Sequence, residues 1–296
     1  MFFYPINYDE PLFRPPSEAY SLIFQVTLGC SWNKCAFCEM YTSKKFCVRN
    51  EKEVFEEIES VKNSLSDTRK VFLADGNAFV LSFRRLNTIL DKLNESFPKL
   101  NRVSAYALPN DIISKSDVEL KVLREKGLKL LYVGIESGDD ELLKRINKSE
   151  TYQSTKDALI KARKAGIKLS VMILNGLGGE KYSKHHAINS AKLINEIQPE
   201  YLSTLVISYP FGVEHFEKKF DGEYQELSKL GLIQEMQWFM QELELENTVF
   251  RSDHASNYLV LKGNLNRDKE MLMARINEVL EDPKNAGLRE EWMRGL

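Results

Sequence analysis

Six short apolar runs alternate with amphipathic stretches between residues 22 and 208, and this alternation restricts the fold more than any other feature. Strands that alternate with helices pair in parallel, and the helices cover the outside of the sheet. The alternation therefore predicts an α/β fold, built as an open doubly wound sheet or as a curved, incomplete barrel. In both architectures ligands bind at the carboxyl ends of the strands. The six predicted strands are 22–28, 71–74, 102–108, 128–135, 167–174 and 201–208.

The pattern divides the chain into three predicted segments. Residues 1–20 are rich in proline and aromatic residues, which predicts an irregular arm. Residues 21–210 hold the alternating strands and helices. From residue 211 to residue 296 the alternation stops, and the sequence predicts a mainly helical extension that packs on the open side of the barrel. One polar and aromatic segment, 250–268, interrupts this extension.

Composition and charge narrow the class of protein. The chain has 296 residues and a formal net charge of −2, so bulk electrostatics gives no reason to expect a nucleic acid or an anionic membrane as partner. The first residues lack the cationic start and apolar run of a signal peptide. No window approaches 18 uncharged apolar residues, so no membrane span is expected. We therefore expect a cytoplasmic protein.

Three of the four cysteines lie within nine residues, directly after the first predicted strand. They are Cys30, Cys35 and Cys38, and the fourth is Cys47. Cytosolic proteins rarely form disulfides, so a tight group of cysteines indicates a metal site or a catalytic site. Three thiolates can hold three irons of a [4Fe–4S] cluster and leave the fourth iron open. Zinc bound with Cys47 as fourth ligand, or cysteines that bind nothing, are the alternatives.

This cysteine loop resembles the signature loop of the radical SAM superfamily, with the aromatic Phe37 just before the last cysteine. Here four residues separate the first two cysteines, whereas the common loop of the family has three. The resemblance implies a partial (β/α)6 barrel, a [4Fe–4S] cluster and S-adenosylmethionine (SAM). It implies that the open iron binds the amino and carboxylate groups of SAM. It also implies that Phe37 and the main chain beside it seat the adenine.

The end of the second predicted strand resembles a Gly-Gly-Glu-like turn of the same family. Asp75, Gly76 and Asn77 occupy that turn in the segment LADGNA, residues 73–78. The resemblance implies that their oxygen atoms accept hydrogen bonds from the SAM ammonium. Asp-Gly-Asn is also favourable turn chemistry by itself, so an ordinary turn is the alternative.

The segment YVGIESGDDELLKRINK, residues 132–148, resembles its counterpart in one group of the family. That group contains methylthiotransferases, cobalamin-dependent radical SAM proteins and oxygen-independent coproporphyrinogen oxidase. The resemblance implies that Glu136, at the end of the fourth strand, binds the ribose hydroxyls and takes part in catalysis. It implies that Lys148, or alternatively Arg145, lies near the SAM carboxylate.

The segment ILNGLGGEKYS, residues 173–183, resembles the Gly-Leu-Pro-Gly-Glu turn of the family at the end of the fifth strand. Because glycine has no side chain, Gly176 would let the backbone approach the cofactor closely. Asn175 would direct a polar group at the ribose. A glycine-rich turn alone is weak evidence, but it gains weight beside the cysteine loop and Glu136.

The functional hypothesis is a radical SAM enzyme with one cluster, because a second protein-bound cluster generally needs three or four more ligands. The sequence also offers no additional N-terminal domain for cobalamin. Its expected partners are a reductant such as flavodoxin or ferredoxin and an unidentified substrate. His254 is the C-terminal residue expected to touch substrate, whereas Lys44 and His186 are expected to be solvated. A non-catalytic iron–sulfur protein for electron transfer or redox sensing, and a zinc-stapled binding protein, are the alternatives.

Overall fold

The structure is a computed structural model, and it describes residues 6–294. Parallel strands alternate with helices, so the predicted α/β class is correct. The described chain forms two compact units. The first comprises residues 6–33, 38–133 and 157–169, and the second comprises residues 34–37, 134–156 and 170–294.

The strands fall where the apolar runs predict them, with one division and three additions, of which the first is the two-residue strand Cys47–Val48. The first predicted strand is divided at Val26 into two short strands, and the segment 249–264 adds two strands that the sequence analysis did not predict. In chain order the strands are β1 Leu22–Gln25, β2 Thr27–Leu28, β3 Cys47–Val48, β4 Lys70–Ala74, β5 Arg102–Tyr106, β6 Leu128–Glu136, β7 Lys168–Asn175, β8 Tyr201–Val206, β9 Val249–Ser252 and β10 Leu261–Asn264.

The helices begin and end at residues with a local physical reason to do so. Ser116 and Glu119 form a reciprocal capping box at the start of α4. Gly127 follows the end of that helix in a left-handed conformation, with φ of +104°. The helices are α1 Glu51–Val61, α2 Phe83–Ser96, α3 Pro109–Ile113, α4 Asp117–Glu125, α5 Asp140–Arg145, α6 Tyr152–Lys164, α7 Gly179–Ile197, α8 Val213–Glu217, α9 Lys229–Glu242 and α10 Leu265–Glu281.

The larger sheet of the first unit is parallel, and a small antiparallel sheet of β2 and β3 accompanies it. Strand β1 pairs with β4, β4 with β5, and β5 with the first part of β6. Strand β4 is buried from Val71 to Ala74, as expected of a strand covered on both faces. Its carboxyl end delivers Asp75, Gly76 and Asn77. The N-terminal arm packs on this unit, since Glu18 is fully buried and binds Arg102 and Tyr132.

The sheet of the second unit continues beyond the predicted strands. Strand β7 pairs with β8 in parallel, β8 with β9 in parallel, and β9 with β10 in antiparallel register. The segment 250–268 therefore contributes strands, although its polar residues gave no clear apolar run. Alternate residues of β9, Phe250 and Ser252, are buried, which is the pattern of a half-covered strand. Around these strands the C-terminal region is mainly helical, as predicted.

Candidate active site

Cys30, Cys35 and Cys38 lie in the loop between β2 and β3, and none of them forms a disulfide. Cys30 and Cys38 belong to the first unit and Cys35 belongs to the second. All three are partly exposed, and Cys47 is exposed on β3. Within residues 6–294, no three His, Cys, Asp or Glu side chains converge on a position for a single metal ion. The structure thus presents the thiols in one loop without assigning them a group.

Asp75 is buried at the end of β4 and is fixed by two donors. Its Oδ2 accepts hydrogen bonds from the Gly29 amide, at 3.1 Å, and from the Lys44 ammonium, at 2.9 Å. Its Oδ1 is buried without a hydrogen-bond partner. Lys44 was expected to be solvated, but its side chain is only 6% exposed. That expectation was wrong because Lys44 folds back to bridge Asp75 and Asp9.

Asn77 likewise has one side-chain atom with hydrogen bonds and one buried side-chain atom without them. Its Nδ2 donates to Ser31 Oγ, at 2.7 Å, and to Asp111 Oδ2, at 2.6 Å. Its Oδ1 is buried without a partner. Gly76 between the two acceptors must be glycine, because a Cβ there would lie 2.5 Å from the Tyr41 ring. The turn thus presents two buried acceptor oxygens that other side chains hold in place.

Glu136 ends β6 in the second unit with an unusual backbone. Its φ is +66°, a left-handed conformation that costs about 1–3 kcal/mol for a residue other than glycine. The side chain is buried, and burial raises the pKa of its carboxyl group, while the Lys148 ammonium opposes this shift. Oε2 is buried without a partner. A Cβ on residue 134 would lie 2.0 Å from Glu136 Oε1, so glycine at this position lets the carboxylate keep its place.

Lys148 lies beside Glu136. Its Nζ donates to the Gly134 carbonyl at 2.9 Å and lies 3.5 Å from Glu136 Oε1. The same ammonium lies 5.9 Å from the centre of the Phe37 ring. Arg145, the alternative basic residue, instead pairs with Glu141 and lies over the Tyr182 ring. Lys148 is therefore the basic residue that accompanies Glu136.

The glycine turn after β7 is held by residues far away in the sequence. The Gly176 amide donates to Glu235 Oε1 at 2.7 Å, and its carbonyl accepts from the Tyr224 hydroxyl at 2.9 Å. A Cβ on Gly176 would lie 2.7 Å from Leu232. Asn175, the preceding residue, is buried at the end of the strand. Packing within the second unit thus already requires glycine at position 176.

A buried polar network around Glu235 escaped the sequence analysis. Ser183 Oγ donates to Glu235 Oε2 at 2.6 Å, and His186 Nε2 lies 3.8 Å from Oε1. Burial raises the pKa of Glu235 to about 7 and lowers the pKa of His186 to about 4. His186 was expected to be solvated, and this was wrong, because its ring is buried against Ser137 Oγ at 2.8 Å. The i, i+3, i+7 spacing of Ser183, His186 and Ser190 could have indicated a shared helix face.

The ring of His254 forms its hydrogen bonds within its own loop. Its Nδ1 lies 2.9 Å from Ser256 Oγ and accepts from the Ser256 amide at 3.1 Å. The residue is exposed, and burial of part of its ring lowers its pKa. A contact between His254 and substrate stays a prediction.

The buried oxygen atoms without hydrogen bonds suit SAM, the cofactor that the sequence implies. Asp75 Oδ1, Asn77 Oδ1 and Glu136 Oε2 are each buried without a hydrogen bond within residues 6–294, although the buried Tyr41 hydroxyl lies close enough to interact with the Asp75 carboxylate. A buried acceptor without a partner costs about 1–3 kcal/mol. An ammonium group and ribose hydroxyls are donors, so SAM carries the chemistry that these acceptors lack.

The sequence profile of the radical SAM superfamily matches residues 24–191, which is more than half of the chain. The chain therefore belongs to the radical SAM superfamily. Members of this superfamily are enzymes that use a [4Fe–4S] cluster and SAM. The prediction of these cofactors is therefore confirmed.

Two curated relatives and one solved structure illustrate the likeness. The chain is 26% identical over 165 residues to the heme chaperone HemW of Bacillus subtilis, which covers 55% of this chain and 42% of that protein. It is 23% identical over 249 residues to a predicted methylthiotransferase, MJ0865, of Methanocaldococcus jannaschii. That match covers 77% of this chain and 54% of the relative. The chain thus spans about half the length of the curated relatives it matches.

Coproporphyrinogen III oxidase (HemN) from Escherichia coli, a radical SAM enzyme, has a similar fold, with a TM-score of 0.56 at 17% identity. The match covers 75% of this chain and 52% of that chain, and it supports the predicted partial-barrel class of fold. Among residues 6–294, no helix is both long enough and apolar enough to cross a membrane.

Proposed function

We propose that this chain is a radical SAM enzyme with one cluster, in which Cys30, Cys35 and Cys38 ligate a [4Fe–4S] cluster. Once held by these thiolates, the cluster would supply one electron for the cleavage of SAM to methionine and a 5′-deoxyadenosyl radical, and this radical would remove a hydrogen atom from the substrate. Residues 21–210 form the catalytic domain under this proposal. Three thiolates leave one iron available to SAM, which a four-thiolate set would not.

The observation that carries the proposal is the set of buried acceptors without donors. Asp75 Oδ1 and Asn77 Oδ1 would accept from the SAM amino group, and Glu136 Oε2 would accept from the ribose. Lys148 would attract the carboxylate of SAM, and Phe37, 5.9 Å from the Lys148 ammonium, would contact the adenine. In each case the protein supplies what the cofactor's own groups require: acceptors for donors, and a cation for an anion.

The surrounding residues would hold these groups in a fixed orientation and shield them from water. Lys44 and the Gly29 amide fix the carboxylate of Asp75, and Ser31 and Asp111 fix the amide of Asn77. Gly134 leaves the space into which the Glu136 carboxylate folds. Asn175 and Gly176 would border the cofactor from the end of β7. Such preorganised groups bind without reorganisation of the site.

The whole-protein activity also needs partners. A reductant such as flavodoxin or ferredoxin would supply the electron, and the cytoplasm would supply both reductant and SAM. Methylthio transfer, suggested by the name of one relative, is not proposed for this chain. A second protein-bound cluster generally needs three or four ligands, and Cys47 is the only cysteine of this sequence outside the loop.

Anaerobic turnover tests the proposal. The protein is reconstituted with iron and sulfide, reduced with dithionite and supplied with SAM, and 5′-deoxyadenosine is quantified. We expect product from the wild type and from Cys47→Ser, the matched control, and none from Cys38→Ala. A reducible cluster without 5′-deoxyadenosine would favour an electron-transfer or redox-sensing protein. Zinc in place of iron, lost in Cys47→Ser, would instead support the zinc-stapled alternative.

A further inference from the structure

Helix α7 holds the three buried residues that follow Glu136 in the chain. Side chains on one face of the helix bond each of them in turn: His186 Nδ1 lies 2.8 Å from Ser137 Oγ, Ser190 Oγ accepts from the Gly138 amide at 2.8 Å, and Asn189 Nδ2 donates to Asp139 Oδ2 at 2.7 Å. A Cβ on Gly138 would collide with the Asn189 carbonyl, so the segment packs directly on the helix backbone. The position of the chain just after Glu136 is therefore set by α7.

His186 also faces the end of β7. Its Nε2 lies 3.8 Å from Glu235 Oε1, the atom that accepts from the Gly176 amide at 2.7 Å. A hydrogen bond to the Leu174 carbonyl acts on the same ring. One buried histidine thus lies between the residues after β6 and the glycine turn after β7, and both regions belong to the second unit.

The partners of the ring define what each nitrogen does. Burial lowers the pKa of His186 to about 4, so the ring is neutral near pH 7 and has one donor and one acceptor nitrogen. The groups that face Nε2 are acceptors, namely the Glu235 carboxylate and the Leu174 carbonyl. Nε2 therefore carries the hydrogen, and Nδ1 accepts from the Ser137 hydroxyl. The Ser137 oxygen in turn accepts from the Asp139 amide at 3.0 Å.

We propose that His186 is a positioning residue of the cofactor site, which fixes the Glu136 carboxylate through the hydrogen bond from Ser137 to Nδ1. The inference rests on the proposed function, which assigns Glu136 to the ribose of SAM. Glu136 needs such support, because its φ of +66° is an unfavourable conformation that only the surrounding structure maintains. His186 acts through its neighbour and has no contact with SAM under this proposal.

Two substitutions separate this hydrogen bond from packing. His186→Leu keeps most of the side-chain volume and removes the acceptor. His186→Asn is smaller, but its Oδ1 offers an acceptor near the position of Nδ1. A role in packing alone would make His186→Asn the more damaging change, because it leaves the larger cavity. A positioning role makes His186→Leu the more damaging change for SAM binding.

Equilibrium dialysis of the reconstituted, unreduced protein with SAM measures binding without turnover. We expect the dissociation constant to rise about tenfold in His186→Leu and less than about threefold in His186→Asn, the usual scale for a residue that orients a binding group. The adjacent His185 is exposed and supplies the matched control, so His185→Leu should bind SAM as the wild type does.

Hydrogen exchange without SAM gives a second readout. Exchange over residues 137–139 should become faster in His186→Leu and stay slow in His186→Asn, while exchange over the rest of the chain shows that each variant is folded. Unchanged SAM binding in His186→Leu, or weaker binding in His186→Asn than in His186→Leu, would overturn this inference and leave the proposed function intact. A wild type that binds no SAM would overturn both.

Discussion

The turn after β4 and the end of β6 both present buried oxygens, but they hold them by different means. In the first unit, Asp75 is flanked by a charged ammonium and a backbone amide at hydrogen-bond distance. In the second unit, Glu136 depends on a left-handed backbone, a glycine at position 134 and one ammonium at 3.5 Å. Glu235, also in the second unit, is held by an amide and a hydroxyl, and no lysine or arginine pairs with it within residues 6–294.

This difference shows two ways to stabilise a buried acid. A buried acid beside an ammonium is stabilised by the opposite charge, and removal of one member leaves the other with fewer partners. Burial raises the pKa of Glu235, which neutral donors hold, and it also raises the pKa of Glu136, where the Lys148 ammonium opposes the shift. The first unit is therefore expected to be sensitive to mutation of a charge, and the second to pH and to shape.

The largest effect should come from Asp75→Ala. It leaves Lys44 with Asp9 as its remaining partner and removes the acceptor of the Gly29 amide. We expect the free energy of unfolding to fall by about 3 kcal/mol, at the lower end for a broken buried pair. Urea unfolding followed by circular dichroism measures it. Asp75→Asn, which retains an acceptor, should lose less, and equal losses would show that the pair is not what stabilises this turn.

The pH dependence of stability should be governed by Glu235. Its folded-state pKa is about 7, above the ordinary value of 4.5, so the folded state binds the proton more tightly than the unfolded state. Stability is then highest below about pH 4.5 for this group and falls as pH rises through 7, by about 3 kcal/mol in total. Urea unfolding at pH 5, 6, 7 and 8 should show this decline in the wild type. The isosteric Glu235→Gln should flatten it, and an unchanged slope would assign the dependence to another group.

Gly134→Ala tests the role of shape in the second unit. A Cβ would occupy the position of Glu136 Oε1 and displace the carboxylate. We expect the dissociation constant of SAM, measured by equilibrium dialysis of the reconstituted protein, to rise about tenfold, or about 1.4 kcal/mol. Because both changes act through one carboxylate, the double variant with Glu136→Gln should bind no more weakly than Glu136→Gln alone. Additive losses would contradict this coupling.

The smallest effect should come from His254→Ala. The ring is exposed and bonds within its own loop, so we expect less than about 1 kcal/mol of lost stability and an unchanged SAM dissociation constant. The same denaturation and dialysis measurements check both values. If His254 instead contacts substrate, a fall in turnover with intact SAM binding will reveal it.

The spacing of apolar residues predicted the positions of most strands and helices. Ser116 at the start of α4 and Gly127 after its end are the kind of signal that a sequence carries by itself, because a cap depends on residues three or four positions away. Strands β9 and β10 were missed because their segment has few apolar residues, and pairing with β8 decides their conformation. The burial of His186 was missed for a similar reason, since α9 covers the face of α7 on which it lies.

The sequence alone determined the alternation of strands and helices, the grouping of the cysteines and the acids at the strand ends. These features are local, so neighbouring residues specify them. The tertiary structure alone decided which partner each buried group receives. Glu235 meets Gly176 from 59 residues away, and Lys44 meets Asp75 from 31 residues away. Such contacts form only when the whole chain packs, because burial, and not local preference, sets the free energy of an unpaired charge.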